Sequence, residues 1–192
     1  MNHRKLTLAL ALVFTTAGSA GVAVAADKAM PAQKTVMVGG AAMYPTKNII
    51  ENAVNSKDHT TLVTAVKAAG LVETLSGPGP FTVFAPTNEA FAALPAGTVE
   101  TLVKPESKDT LTKILTYHVV AGRHTGKELM AMVKKGKGKA TLTSVQGEPL
   151  TVMMEGKALT VTDAKGGAAK VTIGDVMQSN GVIHVVDKVL MP

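Results

Sequence analysis

The chain has 192 residues, enough for one domain and a targeting segment, and carries 20 Lys and Arg against 14 Asp and Glu, a formal charge of +6. Hydrophobic residues make up 46% but aromatic ones only 3%, so the core must be aliphatic, and stacking on exposed bases is disfavoured as a function. There is no Cys, which excludes disulfides, a cysteine nucleophile and lipid attachment through an N-terminal Cys.

Residues 1–26 read as a signal peptide. Arg4 and Lys5 give a positive start, Leu6 to Phe14 is a short apolar run, and Ala23-Val24-Ala25 supplies small residues for cleavage near Ala25 or Ala26. The run is shorter than the roughly 20 apolar residues that cross a bilayer, so no transmembrane anchor is expected after cleavage. Export would leave 18 basic against 14 acidic side chains. It would place the protein in the periplasm or outside the cell.

Residues 27–43 carry Pro31 and Gly39-Gly40 and no helical period, which predicts a linker, with Val36-Met37-Val38 docking on the domain as an edge strand. The domain is expected over 44–192. Up to about residue 130 it reads mainly as helices. Ile49, Ile50, Ala53 and Val54 share one helical face. Thr60 is the expected N-cap of a second helix that buries Leu62, Val63, Val66 and Ala69 and ends at Gly70. Ser76 to Pro80 is a rigid turn, Phe81 to Ala85 a buried strand stopped by Pro86, and Thr87 or Asn88 caps a short helix carrying Phe91 and Leu94. Pro105 opens a helix burying Leu111, Ile114 and Leu115, followed by a strand from Tyr117 to Val120.

Lys134, Lys135, Lys137 and Lys139 crowd the stretch KKGKGK. It reads as a solvated loop with the charge to touch anionic lipid, polysaccharide or nucleic acid, but no nucleic-acid-binding fingerprint accompanies it. From 139 onward the chain is strand-like: Thr141 to Ser144, Leu150 to Met154, Leu159 to Thr162, Val171 to Ile173, and Val182 to Leu190 entered through Asn180-Gly181. Asn-Gly accepts the positive φ angles of a tight turn. Helices early and strands late predict an α+β domain. In the last strand Val182, His184 and Val186 occupy one face and Ile183, Val185, Asp187 and Val189 the other, so it belongs between two layers.

Three segments in this order, TVFAPTNEAF (Thr82 to Phe91), ILTYHVV (Ile114 to Val120) and SNGVIHVVDKVLMP (Ser179 to Pro192), resemble the fasciclin domain family. The resemblance covers about 44–192. It implies a β-sandwich or wedge with helices packed along one side, and a role in adhesion or interaction rather than catalysis. The motif residues Thr82, Phe84, Pro86, Thr87, Asn88, Phe91, Asn180, Gly181, His184 and Asp187 read first as fold determinants.

Asp175-Val176 matches the position of an Asp-Ile adhesion motif in animal relatives, and Tyr117-His118 matches a segment implicated there in integrin binding. These four residues are the candidate partner contacts, for an unidentified cell-surface protein or polysaccharide. Val176 doubles as a buried strand residue and Asp175 is the better candidate for exposure. His118 and His184, set in apolar strands, are expected to bond backbone or a carboxylate such as Asp187 rather than a metal. No cofactor is expected. There is no GxSxG, and GRHTGK (Gly122 to Lys127) is one residue short of a phosphate loop. The alternative role is a carrier of a small apolar ligand such as a carotenoid, which some family members bind, lined by Met153, Met154, Val176 and Met177.

Overall fold

The computed structural model describes residues 35–156 and 158–192; the expected signal peptide lies outside them. Described residues of the expected linker form a hairpin, β1 (Val36–Val38) against β2 (Ala41–Met43), with Val38 and Met43 buried in the main core. Val36-Met37-Val38 is therefore a strand, but its partner is β2 and not the large sheet. Gly39 turns the hairpin at φ 56°, and a Cβ there would lie 2.4 Å from Ser56 Oγ. Glycine is needed for both reasons.

Helices fill the next stretch: α1 (Ile49–Ala53), α2 (Thr60–Ala69) and α3 (Val72–Ser76). Then come strand β3 (Phe81–Pro86), α4 (Asn88–Ala92), α5 (Thr98–Leu102) and α6 (Lys108–Tyr117). Pro105 heads a single 3-10 turn just before α6. The remainder is β4 (Val119–Ala121), α7 (Gly126–Lys135), β5 (Lys139–Thr143), β6 (Pro149–Glu155), β7 (Ala158–Thr162), β8 (Ala168–Gln178) and β9 (Gly181–Val186). The early-helix, late-strand order of an α+β fold is what the chain adopts.

Seven strands form one mixed sheet in the order β4-β3-β9-β8-β7-β6-β5, with β3 and β9 parallel and the other pairs antiparallel. A bridge between Val120 and Ser144, with Val145 N–H donating to Val119 O at 2.7 Å, ties the two edges. The sheet thus curls almost into a barrel, which protects its edge strands from pairing with other chains.

The two faces of β3 and β9 bury different cores, as their alternation predicts. Val83, Ala85, Ile183 and Val185 face the core beneath α1–α6; Phe84 and Val186 face the core inside the curl, together with Val120, Leu150, Val152 and Val161. Leu129 and Val133 of α7 complete the inner core. Each such aliphatic side chain contributes about 1.5–3 kcal/mol on burial.

Two further expectations change here. Tyr117 ends α6 and His118 is its C-cap, so the strand begins only at Val119. The KKGKGK stretch is the last turn of α7, a tight turn and the first residue of β5, not a free loop.

Candidate functional site

The motif residues act as clamps on connecting segments. Asn180 is one: its Oδ1 accepts from Ile49 N–H at 3.1 Å, and its Nδ2 donates to Leu75 O at 2.8 Å and Gly77 O at 3.0 Å. One side chain thus fixes the start of α1, the end of α3 and the β8–β9 turn. Neither Asn180 nor Gly181 has a positive φ. Gly181 is needed because a Cβ would lie 2.2 Å from Phe81 O. Close approach of β3, rather than backbone hand, selects it.

Thr87 caps α4 by accepting from Ala90 N–H at 3.2 Å. Asn88 caps a different helix: its Oδ1 accepts from Thr61 N–H at 3.0 Å while Nδ2 donates to Lys57 O at 2.7 Å. The expected cap, Thr60, is instead the first residue of α2, and His59 stands at the cap position with no side-chain bond to the helix. Pro86 closes β3 and Phe91 is buried beneath α4. Asp187 is exposed and its Oδ1 accepts from Lys170 N–H at 2.7 Å, so it is the partner of neither histidine.

Three of the predicted residues converge on Gly122–Gly126, the segment leading into α7. Thr82 Oγ1 donates to Gly122 O at 2.7 Å and accepts from His124 N–H at 2.8 Å. His184, fully buried and stacked on Phe84 with ring centroids 5.7 Å apart, places Nε2 2.8 Å from His124 O. Its Nδ1 accepts from Asp175 N–H at 3.4 Å. These partners assign the neutral ring with its proton on Nε2, and burial lowers its pKa. Gly174 and Asp175 together oppose His184 in a bulge of β8, and Asp175 takes φ 57°. From there its Oδ1 accepts from Gly126 N–H, the first of α7, at 2.5 Å. Thr125 and Glu128 complete that helix start as a reciprocal capping box. The Thr125 N–H bond holds the Glu128 carboxyl below its usual pKa.

Tyr117 and His118 lie elsewhere and are buried. Tyr117 Oη donates to Pro149 O at 3.1 Å and accepts from Ala164 N–H at 2.9 Å, and burial raises its pKa. His118 Nδ1 lies 2.8 Å from Ile114 O and its Nε2 accepts from Leu190 N–H at 2.9 Å. Burial brings its pKa down to about 4, so the ring is neutral. Both histidines spend both ring nitrogens on backbone groups. Among the described residues no group of three His, Cys, Asp or Glu could hold a metal ion, and no helix is long and apolar enough to cross a membrane.

The four partner-contact candidates therefore divide. Tyr117, His118 and Val176 are buried, while Asp175 is exposed. In the sheet, Val119 beside His118 aligns with Val83, Ile183 and Val176 across β4-β3-β9-β8, so the two candidate pairs sit three strands apart and form no common patch. The methionines proposed to line a pocket also disperse. Met153 and Met154 are adjacent in β6 and point to opposite faces. The two apolar gaps beneath α1 and α2, one of which Val176 lines, have room for a water molecule or two.

Sequence reasoning missed three polar anchors. Asn52 donates to Gln178 Oε1 and to Tyr44 O at 2.8 Å, tying α1 to β8 and the hairpin. Asp163 accepts from Lys165 N–H and Gly167 N–H at 3.0 and 2.7 Å through one oxygen, and from Met191 N–H at 3.0 Å through the other. Ser56 Oγ and His59 Nδ1 are paired at 2.9 Å inside the core. Only the Asp163-to-Gly167 spacing left a readable turn signature.

The fasciclin domain model matches residues 57–192. Protein sll1483 of Synechocystis sp. is 51% identical over 162 residues, covering 83% of this chain and 82% of that protein. Immunogenic protein MPB70 of Mycobacterium bovis is 36% identical, covering 93% of each. Transforming growth factor-beta-induced protein ig-h3 of Sus scrofa is 41% identical over 132 residues, 68% of this chain but 17% of that one. Among solved structures, a FAS1 domain pair from the insect cell adhesion molecule fasciclin I superposes with a TM-score of 0.70 at 18% identity, over 78% of this chain and 52% of that one.

Proposed function

The chain belongs to the fasciclin domain family, and from that premise we propose that it is an exported, non-enzymatic domain that mediates contact or adhesion at a cell surface or in the extracellular space. The observation that carries this reading is the fold shared with a domain pair of a cell adhesion molecule. The chemistry of the named side chains agrees with it. His118 cannot accept a proton at Nε2 without losing the Leu190 N–H bond that holds the C-terminal segment, nor His184 at Nδ1 without losing the Asp175 N–H bond at the β8 bulge. Asp175, exposed beside the start of α7, is the partner contact of the four candidates that a macromolecule can reach.

Export rests on residues 1–26, and intact mass of the secreted or periplasmic protein tests it. Interaction is tested by co-sedimenting the purified protein with the envelope fraction of its native host. Saturable binding that competes with unlabelled protein supports the reading, and binding no greater than that of an unrelated domain of equal charge refutes it.

A further inference from the structure

The outward face of β5–β8 is built largely of threonine. The registers place Thr141 beside Thr151 and Thr151 beside Thr162, and the next row runs Lys139, Met153, Thr160, Lys170. Alternation sends Ala140, Leu142, Val152, Val161 and Ala169 to the inner core, so the hydroxyls share the other face. Lys139, Thr141, Thr143 and Lys170 are exposed. Lys139 and Lys170 stand three strands apart, roughly 14 Å, with Met153 and the buried Thr160 between them. The Thr162 hydroxyl is buried too, so the hydroxyls of these rows that a ligand can reach are those of Thr141, Thr143 and the half-buried Thr151. Two carboxylates border this face: Glu155 at its edge, with an oxygen 3.4 Å from Thr160 Oγ1, and the exposed Asp187 across from Lys170, whose N–H donates to it at 2.7 Å.

The turn into β5 extends this charge. Gly138 N–H donates to Val133 O at 2.9 Å and Lys137 N–H to Lys134 O at 3.3 Å, the paired bonds that close a helix end with a left-handed residue. Glycine or asparagine normally fills that left-handed place. Here it is Lys137, at φ 57°, although glycines stand on both sides. A strained backbone thus presents a lysine where an uncharged residue would fit better. With Lys134 and Lys135 in the last turn of α7, it borders the threonine face at the head of β5.

We propose that this face, with its lysine border, docks an acidic polysaccharide, whose acid groups pair with the lysines while its hydroxyls bond the threonines. This deepens the interaction reading and rests on it. Charge complementarity selects a polyanion. The face carries no aromatic side chain on which nucleic-acid bases could stack. Its only large apolar side chain, Met153, is half-buried in the sheet rather than part of an apolar helix face that could enter a bilayer.

The test is affinity electrophoresis of the full-length exported protein through gels containing polygalacturonate, with neutral dextran, phosphatidylglycerol vesicles and single-stranded DNA as separate probes. Polygalacturonate should retard the protein, less so as salt rises, and dextran should not. Lys137→Gly relieves the strained backbone while removing the charge, so weaker binding cannot be attributed to unfolding; the expected loss is roughly threefold to tenfold. Thr141→Val with Thr151→Val should weaken binding without altering charge. Undiminished binding in both variants overturns the proposal, as does equal retardation by DNA or equal binding to the vesicles. Envelope binding that persists in these variants would remove this inference while leaving the interaction reading intact. Loss of envelope binding by the unaltered protein would remove that reading itself.

Discussion

Replacing Asn180 by Ala removes three hydrogen bonds at once. The structure then leaves Ile49 N–H without its acceptor, and Leu75 O and Gly77 O without a donor, at a site only 9% exposed. A net hydrogen bond is worth about 1 kcal/mol, and an orphaned buried group costs about 1–3. With three groups affected, and water admitted at the least buried, the expected loss is roughly 3–5 kcal/mol. A domain of this size has about 5–15 kcal/mol in hand, so the variant should remain folded but near its limit. Urea unfolding followed by circular dichroism measures the change, with Ser179→Ala, at an exposed neighbour, as a control near zero. A loss below 1 kcal/mol would refute the reasoning, because Asn180 would then be a turn residue and not a clamp.

Burial holds His118 at about 4 against an ordinary 6.5, and lowers His59 and His184 as well. The unfolded chain therefore binds these protons at higher pH than the folded one. The stability contributed by the neutral rings is full above pH 6.5 and lost as pH falls towards 4, by roughly 3 kcal/mol for His118 alone; His118→Gln should flatten that slope in unfolding curves measured across the range. Lys137→Gly should raise stability by about 1 kcal/mol, read as a higher urea midpoint at unchanged m-value. Asp175→Ala should cost about 1 kcal/mol by uncapping Gly126 N–H, and Asp175→Gly distinctly less because glycine relieves the backbone at φ 57°. Equal losses would refute the strain at that bulge. Gly181→Ala, which drives a Cβ to 2.2 Å from Phe81 O, should lower soluble yield or cost at least about 3 kcal/mol.

The two-layer role of β3 and β9 was legible because strand alternation records both faces, and the structure assigns Val83 and Phe84 to different cores. Helix α7 was not recognised, although Thr125 and Glu128 have capping-box spacing and Leu129 and Val133 share a face. Glycines on either side made the region look like loop. Tyr117 and His118 have strand-like neighbours, but the bond between His118 Nδ1 and Ile114 O completes a helix end. That is a tertiary outcome which propensity alone does not encode. Strand β8 was seen only as Val171 to Ile173, because the bulge at Gly174-Asp175 interrupts its alternation. At the candidate site, the exposure of Asp175 and the burial of Val176 followed from strand chemistry. The convergence of Thr82, His184 and Asp175 on the α7 loop joins residues 40–60 apart in sequence, which no local pattern reveals. The polar anchors Asn52 and Gln178 gave no signal because their partners are distant.

The measurement that bears most directly on the whole account is binding of the purified, processed protein to the envelope fraction of its own host across a range of concentrations and salt. An exported interaction domain predicts saturable binding that weakens with salt and survives His118→Gln, since His118 is buried. Linear, unsaturable association matched by an unrelated basic domain would contradict it.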